Sequence, residues 1–437
     1  MRELYCPRYF SQIVPIMMFV RYVGGDECWH RDTDYANLTI DDPSLTEPYG
    51  NLNFKKLLTE MEKYNFHTTI AFIPWNYDRS QPDVGKLFLD NPDRYSLIVH
   101  GNNHDHYEFN ETVPLDEQEK DIIEALNRME KHKELTSIPY GKVMIFPHGI
   151  PPVKTLEFLK KYNFNITVNA QDVPLGATRP ENYDYEMEPA NMDYANFASV
   201  KRHSCRYQEY VFDLFLDKPA LFYNHHNFFA EGIDAFNSIA KDVNDLAGEV
   251  EWKSLGEIAK HLYLKKTNDN GAIDVKMYGN NLILSNDSEI SNVYHIHKEE
   301  NLNVPIAKLT IDDMETNYVV EEGVLKIGRV ISANDSIKIK IIYTEKIPQI
   351  AKFPTGPFRN WRKAGVRICY LRMASNFRDM FVSRTKVGRG FISLYYTYRP
   401  FALGIRYFAL GIAVLCMIVP ISLFIVVIKL RPRKRKA

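Results

Sequence analysis

The sequence is poor in cysteine, with five residues in a chain of 437. Cys6, Cys28, Cys205, Cys369 and Cys416 are scattered, and no two of them form a C-x-x-C pair. A zinc ribbon and a disulfide framework both need closely spaced cysteines, so the pattern supports neither. An excess of charge of one sign is also missing, since 54 Lys and Arg balance 55 Asp and Glu. The even total hides an asymmetry, because the chain beyond residue 345 is strongly basic and the remainder is acidic.

Long apolar runs are rare, and one of them is long enough to cross a bilayer. Residues 407–428 carry no charge, which predicts a transmembrane helix in which Pro420 is tolerated. The basic stretch at 346–406 has apolar residues at roughly helical spacing, so we expect a membrane partner and no nucleic-acid partner. The tail at 429–437 is polybasic, and positive-inside reasoning places it in the cytoplasm. This predicts a single-pass membrane protein whose main domain is extracytoplasmic.

A clear export signal is missing from residues 1–35. The chain is mildly apolar between Phe10 and Val20, but Pro15 interrupts this run and it is too short to span a bilayer. Two interpretations stay open, a weak export signal and an N-terminal core strand.

Residues 36–264 contain a regular alternation of strand-like and helix-like segments. Repeated βα units of this length predict an α/β fold with a parallel sheet, here a distorted or incomplete (β/α) barrel. In such barrels the active site lies at the carboxyl ends of the strands. Residues 265–345 differ, because short alternating runs separated by Asn, Asp and Gly predict a small all-β sandwich. Residues 309–313 in this part repeat the pentapeptide at 38–42, which we interpret as a coincidence.

Histidines and paired carboxylates follow two of the predicted strands. Residues 97–99 are apolar, as in a strand covered on both faces, and they lead directly to His100 and His104. Asp41 and Asp42 follow another short strand-like segment. Adjacent carboxylates are costly there unless a positive group lies between them. Two imidazoles and a carboxylate are suitable ligands for a divalent cation, so we expect a metal site where these strands end.

The Asp-Asp pair after one strand and the His-x-x-x-His motif after a later strand resemble the polysaccharide deacetylase family. The resemblance implies a barrel enzyme that removes N- or O-linked acetyl groups from a glycan with a divalent metal, for which we expect zinc. It implies that Asp41 is the catalytic base. It also implies that Asp42, His100 and His104 are the metal ligands.

The catalytic acid of this family is a histidine that follows a late strand. Residues 221–226 occupy that place in the order of elements and end in two histidines. The resemblance therefore implies His225 as the acid, with His226 as the alternative and one of the two facing the core.

A third family motif is only partly present. Where the family has Arg-Pro-Pro-Tyr, residues 146–149 read Phe-Pro-His-Gly, so the arginine that steadies the base is missing. His148 could do that work, contact the substrate or add a metal contact. Asp172 stands near the place of the arginine's acidic partner. Trp75 and His106 lie on loops at the same end, where they could contact sugar rings.

The sequence thus predicts a membrane-anchored, metal-dependent hydrolase that deacetylates a polysaccharide. Two alternatives stay open. One is a glycan-binding or scaffold protein that kept the fold without the activity, and the missing arginine is its best support. The other is a different metal hydrolase on the same barrel, acting on a non-carbohydrate amide or a phosphoester.

Overall fold

A sheet of nine strands organises the part of the chain that carries the predicted site. The structure is a computed structural model that describes residues 10–350, apart from residues 48, 105–107, 150, 172, 179–187, 206–209, 248 and 302, together with residues 387, 388 and 390. In chain order the strands of this sheet are β1 (Tyr35–Asp41), β2 (Thr68–Phe72), β3 (Tyr95–His100), β4 (Gly141–Ile145), β5 (Ile166–Asn169), β6 (Ser199–Lys201), β7 (His203–Ser204), β8 (Ala220–His225) and β9 (Glu251–Trp252).

The strands pair in parallel, in the order β6-β5-β4-β3-β2-β1-β8-β7, and β9 pairs with the start of β1. Helix α1 (Phe10–Gly24) precedes the sheet and α8 (Leu255–Ile258) follows it. The helices between its strands are α2 (Phe54–Tyr64), α3 (Pro82–Asp90), α4 (Leu115–Thr136), α5 (Val153–Lys161), α6 (Tyr210–Phe215) and α7 (Asn237–Ala247).

Apolar side chains cover both faces of the central strands. In β3, Leu97 and Val99 join the larger core against the helices, whereas Ile98 joins a second core on the opposite face. This alternation explains why the strand has a continuous apolar sequence, since neither of its faces meets water. The helices that close the larger core carry their apolar residues at helical spacing, for example Phe54, Leu57 and Met61 in α2.

The two ends of the sheet are joined by one short piece of chain. β6 pairs with β5, and β7 pairs with β8 at the other end. β6 and β7 are separated in sequence by a single residue, Arg202. Residues 199–204 therefore bridge the two ends of the sheet, and the nearly closed parallel sheet with its surrounding helices confirms the predicted distorted (β/α) barrel.

Two further sheets follow the barrel. One has the order β10-β11-β13-β17-β16 and the other β12-β18-β14-β15, with strands β10 (Tyr263–Thr267), β11 (Ile273–Met277), β12 (Asn281–Asn286), β13 (Asn292–Glu299), β14 (Lys308–Ile311), β15 (Met314–Glu315), β16 (Val319–Glu321), β17 (Val324–Ile331) and β18 (Asp335–Ile342). Apolar side chains of both sheets share one core. Buried polar contacts join them to the barrel, for example Lys160 of α5 with Glu300.

The membrane localisation predicted from the sequence needs correction. Across the described ranges, every helix falls short of the length and apolar character that crossing a membrane requires. The predicted span at 407–428 and the tail at 429–437 lie outside the described residues. Near the other end, residues 10–24 form a helix in place of the core strand, and Phe19 and Tyr22 on it are exposed.

Stability should fall as the pH falls through the range in which His67 titrates. His67 is buried, and its ring nitrogens contact the Asp93 carbonyl and the Ser96 hydroxyl. Burial lowers its pKa to about 4, so between about pH 6.5 and pH 4 the unfolded chain binds the proton and the folded chain does not. The contribution of His67 to the free energy of unfolding is thus fully present above about pH 6.5 and is lost as the pH falls toward about 4. From pH 7 to pH 5 we expect a loss of roughly 2 kcal/mol.

Urea unfolding at pH 7 and pH 5 measures this loss, and His67→Gln removes the titrating group. The variant should lose less stability than the natural chain over the same pH interval. Equal losses in both proteins would contradict the assignment to His67.

Candidate active site

Asp42, His100 and His104 converge on one point at the carboxyl ends of β1 and β3. Asp42 directly follows β1, His100 is the last residue of β3, and His104 lies four residues further along the chain. The Nε2 atoms of His100 and His104 lie 3.2 Å and 3.1 Å from Oδ1 of Asp42. One ligand atom from each of the three residues lies within 4.8 Å of the others. The arrangement places a carboxylate and two imidazoles where they could share one cation.

The backbone around this point adopts a conformation that side chains usually avoid. Asp42, His104 and His148 have φ values of +83°, +53° and +63°. Residues other than glycine pay an energetic cost in the left-handed region, of order 1–3 kcal/mol when the conformation is sparsely populated. Such conformations persist only where the surrounding structure imposes them. Here they aim three polar side chains toward the same end of the barrel.

Asp41 has a different environment from its neighbour. Its side chain is buried, and Arg202 donates one hydrogen bond to each carboxylate oxygen, both at 2.7 Å. The guanidinium of Arg202 also lies 4.3 Å from the ring centroid of Tyr223. Burial raises the pKa of Asp41, but Arg202 outweighs it and, with His100 and His225, holds the pKa below its usual range. Asp41 is therefore ionised and fixed in orientation.

The electrostatics of Asp42 depend on the histidines. Burial raises its pKa, but His104 and His100 hold the pKa well below the usual range. Conversely, burial lowers the pKa of His104, while Asp42 and then Glu108 raise it to about 9. Without a metal, the protonated imidazole thus supplies the positive charge that the Asp42 carboxylate needs.

The site fits a divalent cation by its donor atoms. Oδ1 of Asp42 is buried, and the Nε2 atoms of His100 and His104 face it at 3.2 Å and 3.1 Å. A buried carboxylate oxygen needs a cation or a charged partner, and a cation could lie between this oxygen and the two imidazoles. A carboxylate with two imidazoles is a ligand set that zinc accepts, with further positions left for water or substrate.

Of the two consecutive histidines at the end of β8, only His225 reaches the site. It pairs in register with Asp41, and its Nε2 lies 3.7 Å from Oδ2 of Asp42. Its side chain is 47 % exposed. His226 is buried, packs edge-on against Tyr49 and accepts a long hydrogen bond from the Asn51 backbone. The structure thus separates the two residues, one beside the carboxylates and the other in the packing behind them.

Of the other predicted site residues in the described ranges, His148 lies near the site and Trp75 is buried in the packing. His148 is exposed at the same end, and its ring centroid lies 5.1 Å from that of His104, but it is not one of the three residues whose ligand atoms meet. Trp75 is 6 % exposed and lies against Arg128, so it does not offer a free ring face for a sugar. His106 and Asp172 lie outside the described residues.

Arg202 is the site residue that sequence reasoning missed. The family motif predicts an arginine in the segment after β4, whereas Arg202 enters from residues 199–204, which close the barrel. The strands β6 and β7 are too short to give a clear alternating pattern, so the sequence does not indicate that this segment reaches the site. The one available signal was a lone arginine directly after the alternating sequence Ala-Ser-Val-Lys.

The comparisons with known proteins give likenesses in structure only. No family model and no curated protein match the chain. A putative polysaccharide deacetylase from Mycobacterium smegmatis is 14% identical, with a TM-score of 0.35 over 53% of this chain and 91% of that chain. A family 4 carbohydrate esterase from Streptomyces lividans is 14% identical, with a TM-score of 0.34 over 51% and 93%. A peptidoglycan deacetylase from Bacillus subtilis is 10% identical, with a TM-score of 0.31 over 53% and 92%.

The first of these solved structures carries the name of the family that the sequence motifs resemble. The identities and TM-scores are low, and these likenesses assign no chemistry to this chain.

The full chain should bind one equivalent of zinc. After incubation with zinc and dialysis, elemental analysis should find one zinc per chain. Asp42→Asn and His104→Ala should lose most of it, because each removes one of the three donor atoms. His297→Ala is the matched control. This histidine lies on β13, in the sheets that follow the barrel, and the variant should still bind one zinc per chain. Unchanged zinc content in His104→Ala would contradict the site.

Proposed function

We propose that this protein is a metal-dependent hydrolase that removes N- or O-linked acetyl groups from a polysaccharide. One observation carries the proposal. A three-residue cation site, Asp42 with His100 and His104, lies directly beside a second carboxylate, Asp41, whose orientation is fixed by Arg202. Hydrolysis of an acyl bond needs these two functions side by side, a place to polarise the carbonyl and a base for the water.

Asp42, His100 and His104 would hold the metal, for which zinc is the expected ion. When bound, it supplies Lewis acidity that polarises the acyl carbonyl and makes water more acidic. The three residues come from the carboxyl ends of β1 and β3 and from the loop after β3, so the fold itself sets their separation.

Asp41 is the proposed general base. Arg202 occupies both of its oxygens from one side and keeps the carboxylate ionised, so it can accept a proton from the attacking water. The same pairing makes Asp41 a weaker base than a free carboxylate. Precise orientation is the compensating gain, because Arg202 holds the acceptor atoms in one place.

His225 is the proposed general acid. Water adds its oxygen to the acyl carbon, the bond from that carbon to nitrogen or oxygen of the sugar breaks, and a proton must reach the leaving atom. The exposed side chain of His225, next to Asp42, can deliver this proton where a substrate enters. The products are acetate and a free amino or hydroxyl group on the glycan.

The scaffold alternative has lost its main support. It rested on the absence of an arginine next to the base, and Arg202 makes that contact from the strand pair β6 and β7.

The function is tested by acetate release from a panel of N-acetylated and O-acetylated glycans, with and without added zinc. Asp41→Asn should lower the rate by roughly 10²–10⁴-fold, because it keeps the shape and removes the basic group. It should retain zinc, whereas Asp42→Asn should lose zinc and activity together. If Asp41→Asn kept its activity, Asp41 could not be the base. If the natural chain with zinc released no acetate from any glycan, the proposed function would fail.

Arg202 should affect rate and pH dependence together. Arg202→Met leaves the Asp41 carboxylate buried without a partner, so its pKa should rise and the acidic limb of the kcat/KM profile should move to higher pH. The variant should also lose roughly 3–5 kcal/mol of stability, because it breaks a buried ion pair. Arg202→Lys keeps the charge without the two-pronged geometry, so its acidic limb should move less. A profile of Arg202→Met that coincides with that of the natural chain would contradict the role of Arg202.

A further inference from the structure

The loop between the two ligand histidines wraps around a carboxyl group. Glu108 is 7 % exposed, and its Oε1 accepts a hydrogen bond from the Asn102 backbone at 2.8 Å. Its Oε2 accepts a second one from the Asn103 backbone at 2.9 Å. Successive backbone N–H groups that point inward form a concave site for such a group. The Glu108 side chain is thus the centre around which this loop is folded.

Gly101 shows how closely the loop approaches that carboxyl group. Its φ is +57°, and a Cβ built there would lie 2.1 Å from Oε1 of Glu108 and 2.6 Å from Pro147. No side chain fits at this position without displacing the glutamate or the loop. The turn directly after His100 therefore depends on the place of Glu108.

Arg128 of α4 holds the same loop from the other side. It is 1 % exposed, and it donates hydrogen bonds to the side-chain carbonyls of Asn102 and Asn103, both at 2.7 Å. It also donates a hydrogen bond to Glu124, at 3.0 Å, and lies 4.9 Å from the centroid of the Trp75 ring. The side-chain amide of Asn102 in turn donates to Glu124 and to Asp121 of the same helix. Both asparagines between the histidines are therefore fixed by α4.

We propose that Glu108 and Arg128 are positioning residues that form a two-sided clamp on the loop from Gly101 to Asn103, and that this clamp sets the metal affinity of the site. The inference rests on the proposed metal centre. Neither residue provides one of the three ligand atoms that meet. They act through His104, whose left-handed backbone and 3.1 Å approach to Asp42 follow directly on the clamped residues.

The physical reason is preorganisation. His104 holds a backbone conformation that is unfavourable for a histidine, so a loosened loop would relax to an ordinary conformation and carry the imidazole away. Metal binding would then have to restore the strained form and would weaken accordingly. A buried guanidinium among carboxyl groups is a poor source of net stability compared with apolar packing. Its directed hydrogen bonds, by contrast, give the loop a single geometry.

The test measures zinc affinity of the full chain by competition with a chromophoric chelator, and the melting temperature of the metal-free protein in parallel. Glu108→Gln replaces one acceptor with a donor that faces a backbone N–H, and Arg128→Met removes both bonds to the asparagine carbonyls. Each should weaken zinc binding by about 10–100-fold, as changes in the groups that support metal ligands commonly do. Arg128→Met is the more informative of the two, because loss of a positive charge alone would tighten the binding of a cation.

Lys160→Met is the matched control. Lys160 is as buried as Arg128 and is ion-paired with Glu300. It lies, however, where α5 contacts the part of the chain that forms the two further sheets. It should lower the melting temperature and leave zinc affinity unchanged. If Arg128→Met does not fold, Arg128→Lys takes its place. It keeps the charge and loses the planar guanidinium, whose two terminal nitrogens bond the asparagines and Glu124, so weaker zinc binding is again expected.

The outcomes separate the two levels of the proposal. If the natural chain binds no zinc, the metal centre fails and the clamp fails with it. If the natural chain binds zinc and the zinc affinities of the Glu108 and Arg128 variants stay within twofold of its value, the clamp alone is overturned. Tighter binding by Arg128→Met would overturn it too, because the residue would then act through its charge.

Discussion

Two carboxylates on consecutive residues repel each other, and the organisation of this site depends on how that repulsion is relieved. Asp41 and Asp42 meet different positive partners, a guanidinium on one side and histidines on the other. Away from bulk water each carboxylate needs its own partner to remain ionised. In the proposed function this separation also divides the chemistry, since Asp42 would hold the cation and Asp41 would accept the proton.

The relief of this repulsion is coupled to the closure of the barrel. Arg202 is the single residue between β6, which pairs at one end of the sheet, and β7, which pairs at the other. The segment at residues 199–204, which completes the sheet, thus also places the Arg202 guanidinium against Asp41. A change that opens the barrel at this point would also leave the buried Asp41 carboxylate without its guanidinium, so stability and the proposed catalysis depend on the same contact.

The sequence predicts the regular parts of this structure well, because the periodicity of apolar residues depends on burial alone. Residues 97–99, whose continuous apolar sequence predicts a strand, lie within β3, and the alternation over residues 36–264 corresponds to the strands and helices of the barrel. The contacts of Arg202 and Arg128 could not be predicted, because each joins residues far apart in sequence. Asp41 and Arg202 are 161 positions apart. The pentapeptide repeated at 309–313 makes the same point, since its two aspartates form a tight hairpin turn between β14 and β15 and carry no site.

The two adjacent aspartates are proposed to have separate roles, Asp42 toward a metal and Asp41 toward Arg202. A crystal structure of the full chain grown with zinc, with anomalous data collected at the zinc edge, would test this division. We expect one strong anomalous peak within about 2.0–2.2 Å of an Asp42 oxygen and of a ring nitrogen of both His100 and His104, with Asp41 still paired to Arg202. A peak ligated by Asp41, or an Arg202 side chain turned away from Asp41, would show that the roles are assigned wrongly.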